Sequence, residues 1–339
     1  MSSILEESLV YQSKDRIKEH FESFSIEENQ ESKEEKKNTL FGILLMVISG
    51  VAIGAMSFCI KLTYQHCEGI KAFDIFLIRS LMLAPFCYFH AKILKVNLIE
   101  ISNKSASLLV LRCIFGFCGN IALFVSINYV PVSVSLMIFN VNPVFVTILA
   151  YFFLKEQLTV TKCFCCVGAF VGIVILGLGR TSHDSGKDIQ GKGIIMCVMS
   201  AIFGSLAYTT LRKINTEIHY LYSPYYLSIF GCVLCTLLYL FFDGLINPSL
   251  YTAKAMIFCI ICGGFSIVFQ VLISMAYRHC NASTASPITY MNVIFNLFTD
   301  TLYFHYEFYW TDLIGGILTT GCVVFPVLML IIKQSQTKN

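Results

Sequence analysis

The chain has 339 residues and a formal net charge of only +3, and 56% of it is hydrophobic against 13% charged. A soluble domain carries about 25% charged residues, so most of this chain lies where charge is expensive. The small, scattered positive excess gives no footing for a nucleic-acid partner. The 15 cysteines fall mostly within apolar runs rather than loops, which argues for small reduced residues among lipid and helices and against a disulfide framework.

The first 38 residues hold ten acidic and six basic side chains and lack the basic start and apolar core of a signal peptide. Residues 1–38 therefore read as a disordered cytosolic tail, in which Ile17, Phe21 and Phe24 have helical spacing. A bilayer core of about 30 Å takes roughly 20 apolar residues per helix. Ten stretches qualify, at 40–62, 73–92, 106–128, 132–154, 159–179, 192–213, 221–242, 254–277, 283–304 and 311–332. The sequence thus predicts an all-α membrane protein with ten transmembrane helices. A polar linker, 180–190, separates a first unit of five spans, 39–179, from a second, 191–333, and 334–339 form a short cytosolic tail.

The two units repeat. Gly54 matches Gly204, Asn120 matches Gln270, Asn142 matches Asn292 and Phe145 matches Phe295, all at one offset of 150, and Glu156 matches Glu307 after a slip of one. Five spans per unit make the second enter the membrane from the opposite side, which gives two inverted five-helix repeats, an arrangement of secondary transporters. With the N-terminus inside, twelve Lys and Arg near span ends fall on the cytosolic side against six on the other. Both termini are therefore expected in the cytosol, where the sequons at Asn103 and Asn281 would stay unglycosylated.

Charged residues within hydrocarbon are functional candidates by default. Arg79 in span two and Asp300 in span nine fall at similar depth, which predicts an ion pair, either a static clamp between the halves or an outer gate or coupling pair. Arg112 in span three suits an anionic substrate, a lipid phosphate or helix carbonyls. Thr289, Asn292, Asn296 and Asp300 form a polar stripe within about 80° of a helical wheel, and such a stripe faces protein or water rather than lipid. In span four Asn140 and Thr147 share a face and Asn142 points elsewhere, while Pro143 frees the carbonyl of Phe139. Asn120 and Gln270 add carboxamides at equivalent places in spans three and eight. Taken singly each amide reads as interhelical glue; their convergence on spans three, four, eight and nine points to a lined cavity. The expected cavity residues are Asn120, Asn140, Gln270, Tyr290, Asn292, Asn296 and Arg112. Gly168 with Gly172, and Gly50 with Gly54, mark close helix packing. Cys163, Cys165 and Cys166 open span five in a geometry that does not suit a tetrahedral metal. No metal, cofactor or enzyme motif is expected.

Arg112 opening span three, the small-residue link Tyr129 to Ser133, Pro143 and Glu156 resemble the EamA unit of the drug/metabolite transporter superfamily. Arg79 is similar to that family's arginine in span two, and Ala276 to Ser286, Glu307 and Gly315–Gly316 carry the resemblance into the second half. The KEQ after span four and WTDLIGG opening span ten look most like the G-type members of solute carrier family 35. The resemblance implies a secondary-active transporter of a small organic metabolite, working by alternating access around a cavity lined by spans one to four and six to nine. It also implies that spans five and ten lie at the periphery, where a homodimer contact would form. Rival readings are a non-transporting membrane scaffold or regulator that kept the fold, and a nucleotide-sugar transporter of an endomembrane.

Overall fold

A computed structural model describes residues 38–63, 66, 70, 72–126, 129, 138–156, 159–181, 191–243, 252–303 and 309–336. The chain divides into Met1–Phe41 and Gly42–Asn339; of the first, residues 38–41 are described and are helical. Residues 1–37 of the predicted tail, 182–190 of the linker, Glu307 and most of the link before span four lie outside the described residues, while Arg180 and Thr181 extend α5.

The described residues are mostly helical, and no strand occurs among them. The helices are α1 (Asn38–Thr63), α2 (Ala72–Ile93), α3 (Asn103–Ser126), α4 (Asn142–Leu154), α5 (Val160–Thr181) and α6 (Gly191–Glu217). There follow α7 (Tyr222–Leu238, prolonged by a π turn at Tyr239–Asp243), α8 (Ala253–His279), α9 (Met291–Tyr303) and α10 (Trp310–Gln336). Helix is what lipid demands, because every backbone donor must be satisfied within its own segment. Hydroxyl side chains obey the same constraint by bonding backwards: Thr63 donates to the Cys59 carbonyl at 2.8 Å, and Thr209 donates to that of Ser205 at 2.9 Å. Among the described residues six helices are long and apolar enough to cross a membrane unaided, while α4, α5 and α10 contain shorter apolar stretches.

Packing follows the repeat. α3 lies along α6, α2 along α7 and α5 along α10, while α1 meets α8 through Met56 and Cys59 against Ala255, Cys259 and Cys262. Raising or lowering each helix number by five maps this set of neighbours onto itself. Two glycines show how the repeats interlock. A Cβ on Gly204 of α6 would lie 2.7 Å from Asn142 Nδ2 on α4, and one on Gly54 of α1 would lie 2.7 Å from the Phe295 ring on α9. Each repeat thus receives the fourth helix of the other against the glycine of its first. The Gly168–Gly172 face of α5 is occupied within the chain, against Thr319, Gly315 and Cys322 of α10. An apolar cluster at the centre draws Met46, Val146, Leu211 and Ile273 from α1, α4, α6 and α8.

Two spans differ from the continuous helices expected. Span four is interrupted by a turn at Asn140–Val141, and α4 starts afresh at Asn142 with Pro143 in its first turn. The missing N–H of proline costs nothing there, so Pro143 begins a helix rather than kinking one. Span nine is a short helical turn (Ala282–Ala285), a 3₁₀ stretch (Ser286–Tyr290) carrying Pro287 in its sequence, and then α9. The breaks fall at equivalent places, since α4 starts at Asn142 and α9 one residue before its counterpart, Asn292.

Candidate functional site

A small pocket lies between the repeats, at the two interrupted spans. The first repeat contributes Ser49, Gly50 and Ile53 of α1, and Phe139 to Val146 around the start of α4 except Val141, Val144 and Phe145. The second contributes Tyr208 of α6, Phe269 and Tyr277 of α8, Thr289 of the 3₁₀ stretch and Asn292 of α9. The wall thus mixes four aromatic rings, five carboxamide or aliphatic hydroxyl side chains, and the glycine or aliphatic residues Gly50, Ile53, Pro143 and Val146. Among the described residues no charged side chain lines it.

The asparagines are fixed by one half and open by the other. Asn142 is 3% exposed, and its Oδ1 accepts from the Ser205 hydroxyl at 3.0 Å. Asn292 donates through Nδ2 to Asn140 Oδ1 at 3.3 Å. Asn142 Nδ2, Asn292 Oδ1 and the Tyr277 hydroxyl are buried and have no hydrogen-bond partner among the described residues. An orphaned polar atom of this kind costs about 1–3 kcal/mol, and three of them belong to residues of one wall. Thr289 reaches the same wall because a 3₁₀ stretch has three residues per turn.

Behind the aromatic part stands Arg112. It is 3% exposed on α3, and its Nε has no hydrogen-bond partner among the described residues. Gly116, one turn on, leaves room for the guanidinium to lie along the helix. Tyr208 and Tyr277, whose rings are 6.1 Å apart, both lie within electrostatic reach of Arg112. Among the described residues no carboxylate is within ion-pair range of it. Arg79, also buried, rests over the Phe76 ring at 4.4 Å and against Met56 Sδ at 3.8 Å. The side chain of Asp300 lies outside the described residues, and with it the expected pair.

The remaining expected residues are dispersed. Asn120 is half-buried and donates back to the Gly116 carbonyl at 2.6 Å. Gln270 is buried on α8 next to the cavity residue Phe269. Asn296 is half-buried one turn beyond Asn292. Tyr290 is fully buried against Ala169 of α5 and Cys322 of α10, outside the cavity wall. Asn140 and Asn292 do meet in the wall. Asn142, expected to point elsewhere, joins them, because the turn at Asn140–Val141 resets the helical phase on which that expectation rested.

At the C-terminal ends of α4, α6 and α8 the repeats are tied by charge. Glu156 Oε1 lies 3.7 Å from Arg212 Nε and accepts from the Ala282 N–H at 2.8 Å. Arg212 in turn donates to the carbonyl of Tyr277, to that of Arg278 at 3.4 Å, and to Asn281 Oδ1 at 3.1 Å. Asn215 of α6 adds a bond to the Ser274 carbonyl at 2.6 Å.

Known proteins are similar to this chain in sequence and in fold. Residues 40–178 and 191–328 each match the model of the EamA-like transporter family. An uncharacterized transporter of Helicobacter pylori is 24% identical over 270 residues, covering 77% of this chain and 86% of its own. Mouse solute carrier family 35 member G1 is 23% identical over 299 residues, covering 84% and 78%. A protein crystal structure superposes with a TM-score of 0.68 over 88% of this chain and 98% of its own, at 11% identity, a likeness of fold. Two family matches that together span most of the chain, on a membrane-embedded helical fold, decide the matter: this integral membrane protein belongs to the EamA-like transporter family.

Proposed function

We propose that the chain is a secondary-active transporter that carries a small organic metabolite with an anionic group through the cavity between its repeats. The observation that carries this reading is the pair of repeat-related asparagines, Asn142 and Asn292. Each sits in the first turn of a helix that starts inside an interrupted span, each is buried and lines the same cavity, and each has one amide atom without a hydrogen-bond partner among the described residues. Discontinuous helices of this kind mark substrate sites in inverted-repeat transporters, and helix N-termini favour anionic groups. Arg112 adds positive potential behind Tyr208 and Tyr277. An uncompensated guanidinium in hydrocarbon is expensive, and an anionic substrate would offset it. Rocking of the repeats about the fixed site would expose it to each side in turn, with both termini in the cytosol.

Purified protein in liposomes, screened by counterflow against a metabolite library with and without a proton gradient, tests the reading. Counterflow of an anionic metabolite that is lost in Asn292→Ala and weakened in Arg112→Ala supports it. Normal cellular function of both variants, combined with loss of function on deleting residues 1–38, would instead sink transport in favour of a scaffold.

A further inference from the structure

We propose that Glu156 is the latch that closes the cavity on the side of the C-terminal ends of α4, α6 and α8, and that its release is the step that opens this side. The inference rests on the alternating-access reading above. Glu156 belongs to the first repeat, and its partners Arg212 and Ala282 belong to the second. Lys155 stops α4 in the left-handed conformation, φ 53°, which costs an ordinary residue roughly 1–2 kcal/mol and turns the following carboxylate off the helix end. Such stored strain is characteristic of switch positions.

What the carboxylate holds is the far wall of the cavity. Ala282, its N–H partner, starts the segment that carries Thr289 into the wall. Arg212, its ion-pair partner, sits one turn from the wall residue Tyr208 on α6 and donates to the backbone carbonyl of another, Tyr277. Letting go of Glu156 thus frees the C-terminal end of α4 from Arg212 of α6 and from the segment that starts at Ala282. The side chains are 9% exposed for Glu156 and 16% for Arg212. The pair is dry enough to be strengthened by its surroundings, yet close enough to water for both charges to be rehydrated when it parts. A charge pair across the repeats can therefore break and re-form, as a wholly apolar seam could not without exposing its surface.

Cys280 is a native reporter. It is 1% exposed and lies between Tyr277 and Asn281, both gripped by Arg212, and burial pushes its thiol up to about 12. The thiol should therefore react slowly while the latch is shut. The full chain in lipid nanodiscs is treated with N-ethylmaleimide, and each cysteine is followed by mass spectrometry. Glu156→Gln should label Cys280 at least about tenfold faster than wild type, the change carried by one charge-assisted hydrogen bond. Glu156→Ala should exceed it, and the charge exchange Glu156→Arg with Arg212→Glu should restore protection. Cys197 and Cys235, both 0% exposed on α6 and α7, should not change. Unchanged labelling of Cys280 in Glu156→Ala would overturn the proposal in favour of a static staple. An equal rise at Cys197 and Cys235 would overturn it too, since the whole bundle would then have loosened. No substrate enters the assay, so a chain that fails counterflow yet labels as expected would refute transport and leave the latch standing.

Discussion

The interlocking of the repeats makes a quantitative prediction at three glycines. In Gly204→Ala the new methyl would lie 2.7 Å from Asn142 Nδ2 and 3.3 Å from Phe139 Cε2. The amide must yield, and the same carboxamide holds Ser205 at 3.0 Å. Losing that bond costs about 1 kcal/mol and overpacking about 1–3 kcal/mol, against a gain of about 1 kcal/mol from replacing glycine by alanine in a helix. The net is a destabilisation of about 1–3 kcal/mol. Gly54→Ala should be worse, because its methyl would meet Phe295 at Cδ1, Cβ and Cγ, at 2.7, 3.0 and 3.0 Å, and a Cβ cannot swing away. Gly264→Ala meets nothing within 4 Å and should gain about 1 kcal/mol from helix propensity alone. Thermal unfolding of the three variants in detergent should rank Gly264→Ala at or above wild type, then Gly204→Ala, then Gly54→Ala. Gly204→Ala and Gly54→Ala as stable as Gly264→Ala would refute the interlocked arrangement.

Other consequences can be checked directly. Asn142→Ala and Asn292→Ala should each lower substrate affinity about tenfold, one hydrogen bond's worth, without shifting the melting temperature downward by the amount seen for Gly54→Ala; competition binding measures this. Arg112→Gln should raise KM for an anionic substrate and spare a neutral analogue, whereas equal loss for both would assign Arg112 a packing role. Tyr239→Phe should destabilise the bundle by about 1.5–3 kcal/mol, the range of a bond to a charged group, because the Tyr239 hydroxyl donates to buried Asp74. Endoglycosidase treatment should leave the mobility of the protein made in microsomes unchanged, as Asn103 and Asn281 are expected in the cytosol; a shift would reverse the orientation.

The scaffold was legible because lipid writes it into the sequence. A bilayer forces apolar runs of fixed length, and close helix contacts force glycines, so Gly54 and Gly204 appear at the repeat offset and turn out to seat Phe295 and Asn142. The cavity was legible only in part. Asn140 and Asn292 stand out as amides in apolar runs, but Ser49, Tyr208, Phe269 and Tyr277 are unremarkable in a membrane helix and are recruited by tertiary packing. Asn142 was expected to point elsewhere because a helical wheel assumes an unbroken helix; the turn at Asn140–Val141 changes the phase and brings it into the wall. Tyr290 packs instead toward α5 and α10. Arg212 is likewise silent in sequence, because a charge at a span end looks like an interfacial anchor until Glu156 is found beside it.

The symmetry of the helices is not matched by the chemistry they carry. At the offset of 150, Arg79 corresponds to Ile229, Arg112 to Cys262 and Asp300 to Ala150, so no intramembrane charge is duplicated. The asparagines are duplicated, yet even they differ in partners, Asn142 holding Ser205 and Asn292 holding Asn140. A rocking mechanism needs symmetry only in the backbone, where exchanging the conformations of the two repeats must leave equivalent packing. It needs asymmetry in the lining, since a symmetric site would bind an asymmetric solute equally well in two orientations. On the function proposed above, the Arg112 guanidinium, which has no counterpart in the second repeat, would hold an anionic substrate one way round throughout the cycle. The repeats can then exchange roles around it without its having to turn.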